Sequence, residues 1–110
     1  MVAPLKSGTV ARMDKEQVVS KLREHEPELK AAGIVHLRLF GSVARGDATP
    51  FSDVDLMADF DKSKSFTLVS VGRLENRLKD ILGVKVDLSS PDWMREPVRA
   101  RAIREAVLAF

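Results

Sequence analysis

Apolar positions along the chain switch between helical and strand periods several times. Val18, Val19 and Leu22 share one helical face behind Asp14, an N-cap residue followed three positions on by Gln17, the pattern of a capping box. Pro27 removes a helical hydrogen bond, so the stretch up to Gly33 reads as one kinked helix or as two short helices end to end. From Val35 the period falls to two, with Leu37 and Leu39 alternating against His36, Arg38 and Phe40 until Gly41 and Ser42 end the strand. Val54 to Phe60 alternates again: Val54, Leu56, Ala58 and Phe60 take one side, and Asp53, Asp55, Met57 and Asp59 the other. Helical spacing returns at Val71, Leu74, Leu78, Ile81 and Leu82, with Ser65 as the expected cap and Gly83 as the left-handed stop. Val84 to Leu88 makes a third strand, Lys85 and Asp87 opposite its apolar face. Ser90 and Pro91 open a turn or short helix, and Pro97 suits the first position of a last helix carrying Val98, Ala102, Ile103, Val107 and Phe110.

These elements predict an α/β (α+β) domain, a mixed sheet of about three strands with helices packed against it. Residues 1–13 mix Pro, Gly, Ser and scattered apolar residues without a period and read as a flexible tail, with Met13 available as an alternative start. Residues 14–110 then form a single domain. A chain of 110 residues buries about two thirds of its unfolded surface in one core, so a second substrate domain does not fit, and a large acceptor must be gripped by a partner or bring its own contacts.

Composition narrows the chemistry. With 45% hydrophobic and 31% charged residues the chain is that of a folded, soluble protein. No apolar run approaches the roughly 20 residues that span a bilayer, and the first residues lack the apolar centre of a secretion signal, so a cytoplasmic location without a membrane is expected. Cysteine is absent and there are two histidines, so any metal is held by oxygen. The net charge of +2 is slight, and direct binding of nucleic acid is not indicated.

The informative string is GSVARGDATPFSDVDL, Gly41 to Leu56, followed by Val86-Asp87-Leu88. Gly41 lets the backbone approach an anion, and Ser42 adds a hydroxyl and an amide at the start of a helical turn. Arg45 adds a planar cation close by, serving either a surface salt bridge or, the reading favoured here, a phosphate contact. Asp53 and Asp55 project to the same side of a strand, where like charges repel unless a cation lies between them, and magnesium suits such a pair together with substrate phosphates. If the third strand lies beside the second, Asp87 completes a three-carboxylate cluster able to hold two metal ions and to take a hydroxyl proton from the acceptor. Asp-x-Asp alone is what a solvent-facing strand often shows; its combination with Gly-Ser before it and Asp after it points to chemistry.

This string resembles the signature of the DNA polymerase β-like nucleotidyltransferase superfamily, with Gly41, Ser42, Asp53, Asp55 and Asp87 at the signature positions and Arg45-Gly46 as favoured in its smallest members. The resemblance covers nearly everything after Asp14, and the short length is similar to that of the minimal nucleotidyltransferases, often encoded beside a HEPN-domain protein. It implies that Gly41 and Ser42 hold the β- and γ-phosphates of ATP or another nucleoside triphosphate. Asp53 and Asp55 would bind both Mg2+ ions, or Mn2+ in their place, and Asp87 would bind the catalytic metal and activate the acceptor. It further implies an antitoxin that attaches AMP to a tyrosine of a HEPN-type ribonuclease toxin in a hetero-oligomer.

Other expectations are structural. Asp59 and Asp61 face solvent; Asp47 caps a turn through its side chain and Ser52 braces the turn before Asp53. Arg95, Arg99, Arg101 and Arg104 form a solvated face rather than a docking surface, His25 and His36 lie on the surface, and Trp93 anchors the last helix to the core. Two readings compete with catalysis on a protein: a toxin-binding module that neutralises by contact alone, and a transferase for small molecules, which needs a further helical domain or a dimer. No GxxxxGK[ST] or strand-following GxGxxG is present, which removes the P-loop and dinucleotide-binding classes.

Overall fold

A computed structural model describes residues 14–49 and 53–110, so the expectations for the tail and for Ser52 lie outside the described residues. Helix α1 spans Lys15–Glu24 behind the predicted capping box: Asp14 accepts from the Gln17 amide at 3.0 Å while the Gln17 side chain accepts from the Asp14 amide at 3.1 Å. Pro27 acts as a restart rather than a kink, placed in the first turn of a separate helix α2, Glu26–Ala31. Strand β1 (Ile34–Phe40) runs directly into α3 (Gly41–Arg45), and β2 (Val54–Phe60) follows. Helix α4 is Leu68–Leu82 and β3 is Val86–Ser89, after which a 3-10 turn at Pro91–Trp93 leads to α5 (Val98–Glu105) and β4 (Val107–Leu108).

The sheet order is β3-β2-β1-β4, with β1 antiparallel to both neighbours and β2 parallel to β3. It has four strands where the sequence pattern predicts about three. The last helix stops at Glu105 instead of continuing through Val107 and Phe110. Their apolar spacing suits a helix, yet the free edge of β1 offers unpaired backbone groups that only a strand can satisfy. Leu39 pairs with Val107 and Arg38 with Leu108; beyond them the Ala109 amide donates to the Leu37 carbonyl at 2.8 Å and the Leu37 amide to the Phe110 carbonyl at 3.2 Å. The Arg23 side chain also donates to the Ala109 carbonyl at 2.7 Å, tying the end of the chain to α1.

Two smaller expectations shift. Helix α4 is capped by Thr67, whose hydroxyl accepts from the Ser70 amide at 3.1 Å, rather than by Ser65, because Phe66 must first turn inward against Phe60, ring centre to ring centre 4.7 Å. Strand β3 opens at Val86 rather than Val84, although the Lys85 carbonyl already accepts from the Val54 amide at 2.9 Å. Gly83 ends α4 in the left-handed conformation, as its position predicts.

Leu37, Leu39, Leu56, Ala58, Val86 and Leu88 form the apolar side of the sheet, and Val18 and Leu22 of α1 join Leu74, Leu78, Ile81 and Leu82 of α4 in the same buried cluster. Each fully buried leucine there contributes about 1.5–3 kcal/mol. The carboxylate side is not wholly open, since β3 and β4 are opposite edges and the chain joining them must cross the sheet. Its 3-10 turn packs on β2, and α5 packs on β1 and α3. Met57, read from the sequence as one of the polar-side residues, is fully buried, and with Ala102 of α5 it lies outside the main cluster. Trp93 does not anchor α5 in the core; it is 53% exposed and stacks on Phe60 at 5.6 Å. No helix among the described residues is long and apolar enough to cross a membrane.

A chain ending at Ala106 is expected to lose the protection of the Leu37 amide in hydrogen exchange and to melt several degrees lower, since it forfeits β4 and the fully buried Ala109. Unchanged exchange at Leu37 would show that β4 contributes nothing to the edge of β1.

Candidate active site

Three consecutive features of the chain meet at one end of the sheet. β1 ends at Phe40, which is in register with Asp55 of β2. The next residue, Gly41, has φ of +78°, a conformation that costs a side-chain-bearing residue about 1–2 kcal/mol. A Cβ at Gly41 would also run into the Asp55 carboxylate. Glycine is therefore required twice: for the backbone turn into α3, and for the space that Asp55 occupies. Ser42 lies half-buried in the first turn of α3, its carbonyl accepting from the Asp47 amide at 3.0 Å. Asp47 thus helps close the turn through its backbone, while its side chain, expected to cap the turn, is engaged by Arg45 instead.

The parallel pairing of β2 with β3 sets Asp55 opposite Asp87, and Asp53 lies two residues before Asp55 on the same side. Neighbouring strands stand about 4.8 Å apart and residues two apart on a strand about 6.6 Å, so side-chain rotation alone spans the separations. Asp53 and Asp55 are half-buried and Asp87 is exposed. Burial raises the pKa of Asp55 above the ordinary carboxylate range; the negative charges of Asp87 and Asp53 push it further up, and Arg45 opposes them. Like charges at this range disfavour one another's ionised form. As they stand the side chains do not close on one point, for no three acidic or histidine side chains among the described residues take up a metal-holding arrangement. The donor set is nonetheless all oxygen, the register puts it on one face, and the glycine leaves room for it, so these residues fit a hard divalent cation.

Arg45 ends α3 and makes two ion pairs, with Asp47 and with Glu105 of α5, both at 3.3 Å. These pairs hold its guanidinium well charged, Asp47 first and Glu105 after it. Glu105 has no counterpart in the sequence reading: it is a lone acid in an arginine-bearing helix, and only the packing of α5 beside α3 reveals its partner. Asp59 stands further along the carboxylate side, paired with Arg38 at 2.8 Å, while Asp61 accepts from the Ser63 amide and hydroxyl. His25 is half-buried and His36 exposed, with a ring nitrogen at the Lys21 carbonyl and at the Phe110 carbonyl respectively.

The family model described as the nucleotidyltransferase domain matches residues 15–109. The chain belongs to that family. This nucleotidyltransferase is 33% identical over 99 residues to the protein adenylyltransferase MntA of Thermococcus cleftensis, covering 89% of this chain and 98% of that one. It superposes on a solved structure described as a candidate minimal nucleotidyltransferase with a TM-score of 0.71 at 39% identity, covering 87% of this chain and 96% of the other. A chain from the complex of a tri-AMPylated Shewanella oneidensis HEPN toxin with its MNT antitoxin shares the fold, with a TM-score of 0.61 at 14% identity over 84% of this chain and 71% of that one. A chain of a toxin-antitoxin complex with AMP-PNP does so with a TM-score of 0.63 at 17% identity, over 89% and 73%. The expected nucleotidyltransferase class and α/β fold are both found.

Two variants probe the geometry of this nucleotidyltransferase. Gly41→Ala is expected to lower stability by about 1–2 kcal/mol from the backbone alone, with the clash at Asp55 adding to it, as read by chemical denaturation. Because the folded-state pKa of Asp55 lies above its unfolded value, its contribution to stability is fully present below the unfolded value and is lost as pH rises through the folded one. In metal-free buffer at neutral pH, Asp55→Asn should melt a few degrees above the parent, and the gap should close on acidification. Equal melting at neutral pH, or a gap that widens in acid, would contradict the repulsion described.

Proposed function

We propose that this nucleotidyltransferase transfers AMP from ATP to a hydroxyl of a protein partner, a tyrosine of a HEPN-type ribonuclease toxin, and so acts as the antitoxin of the pair. The single observation that carries the reading is the register match of Asp55 with Asp87, with Asp53 beside them and Gly41 against Asp55. The relative named as a protein adenylyltransferase supports the kind of acceptor, and the fold shared with chains of HEPN and MNT complexes supports the kind of partner. The AMP-PNP complex among the neighbours supports ATP as the nucleotide.

The roles follow from position. Gly41 gives the backbone close access to the phosphates, and Ser42 offers its hydroxyl and amide to them. Arg45 supplies a fixed positive charge next to the same turn. Asp53, Asp55 and Asp87 would hold two Mg2+ ions, with Mn2+ able to replace them, and these ions, when bound, neutralise charge on the oxygens exchanged at phosphorus. Asp87, the most exposed of the three, is placed to accept the proton of the incoming hydroxyl, and pyrophosphate leaves. An ATP substrate and a ribonuclease partner support a cytoplasmic location for the reaction.

A second reading, neutralisation by contact alone, draws on the exposed apolar side chains of Leu68, Val69 and Trp93, at 91%, 65% and 53% exposure. Incubation with labelled ATP, Mg2+ and the HEPN-type partner separates the two. Label should pass to the partner's tyrosine and fall at least a hundredfold when Asp53 and Asp55 are both changed to Ala, in line with the loss of metal-dependent electrostatic stabilisation. Transfer that survives the double change refutes the catalytic reading; full protection from the toxin by the double variant establishes contact as the mechanism.

A further inference from the structure

The Arg45 guanidinium is held from two directions. Its Nε donates to Asp47, two residues away, and its Nη1 donates to Glu105, sixty residues away on α5, each at 3.3 Å. Nη2 makes no hydrogen bond among the described residues. The Asp47 side chain is 64% exposed and the Glu105 side chain 35%, so the firmer hold comes from α5. The positive charge so fixed ends the short helix that begins at Gly41, itself packed against Asp55, and that helix lies on both β1 and β2.

We propose that Glu105 is a positioning residue for nucleotide binding: from α5 it fixes the Arg45 guanidinium beside the carboxylate face, with Nη2, which bonds to no described residue, offered to the phosphates of the incoming triphosphate. The inference rests on the reading of the site as a nucleotidyl-transfer centre. An arginine free in solution must surrender rotamer freedom to grip an anion; one already held at two edges surrenders less, and its planar fork presents the remaining donors in a set direction. Glu105 carries this work and Asp47 does not carry it alone, because Asp47 lies only two residues beyond Arg45, in the turn that closes α3, and is the more exposed of the two acids. Glu105 instead ties the residue to α5, which packs against both α3 and β1. The acid also lowers the net positive charge near the triphosphate, so its effect through position runs opposite to its effect through charge. The sign of the change on removing it therefore tells the two apart.

The test is the affinity of the full chain for a non-hydrolysable ATP analogue with Mg2+, measured by calorimetry beside the melting temperature. Glu105→Gln should weaken binding about two- to fivefold, the scale of an exposed ion pair, with the melting temperature nearly unchanged. In an Arg45→Ala background the same Glu105→Gln change should have no further effect on affinity, and Glu105→Asp, shorter by one methylene, should recover part of the loss in the parent background. Unchanged affinity, tighter binding, or an equal loss in both backgrounds would overturn the positioning role, the last by showing that Glu105 acts without Arg45. Should Glu105→Gln not fold, Glu105→Asp with and without Arg45→Ala is read in its place, by the same criteria. A parent chain that does not bind the analogue overturns this proposal and the functional reading together. Normal label transfer with an unaffected Glu105→Gln affinity overturns this one alone.

Discussion

The parallel pairing of β2 with β3 sets Asp55 opposite Asp87, and the rest of the structure has to accommodate it. Two carboxylates at adjacent positions of a sheet, with Asp53 close by, repel in the absence of a cation, and Asp55 is half-buried as well. A fold optimised for stability alone would place a threonine or valine pair there. The opposing side of the same strands supplies the compensation: Val54, Leu56, Ala58, Val86 and Leu88 are all buried against the helices, in the same register that brings the acids together. Shifting that register by one residue would turn the acids into the core and the core into solvent, so burial on one face fixes the chemistry on the other.

The neighbouring features follow from this constraint. β1 must end beside Asp55, and it can do so only with glycine, which both turns the chain and leaves the carboxylate its space. The turn leads at once into α3, which delivers Ser42 at its start and Arg45 at its end. The crossing from β3 to β4 then lays α5 against α3, and this brings Glu105 to Arg45. Asp55, Asp87, Arg45 and Glu105 thus each stand at or one residue from the end of a strand or helix rather than on a long loop, a placement that favours precise geometry.

Much of this was legible in the sequence because the signals were local. The Asp14 capping box, a break at Pro27, the stop at Gly83 and the alternation of β1 are each decided within a few residues, and each is found. Strand alternation likewise put Asp53 and Asp55 on one side, whereas the approach of Asp87 depended on β3 lying beside β2, a pairing that the sequence left open and the sheet supplies. What escaped depended on distant parts of the chain. Val107 and Phe110 kept a helical spacing, but the unpaired edge of β1 drew the chain into β4. Met57 sat among acids on the polar side, and only the crossing chain could reveal its burial. Thr67 replaced Ser65 as a cap because Phe66 had to reach Phe60, and nothing in the basic stretch of α5 marked Glu105 as the partner of Arg45.

The central claim is that β-sheet register gathers three carboxylates for a divalent cation while the glycine turn beside them receives the triphosphate. A crystal structure of the chain with Mg2+ and a non-hydrolysable ATP analogue tests it most directly. The expected result is Mg2+ bound by Asp53, Asp55 and Asp87, reached by side-chain rotation with the β2 and β3 register unchanged, and phosphates against Gly41 and Ser42. Phosphates bound elsewhere, or a cation that leaves Asp55 and Asp87 apart, would contradict it.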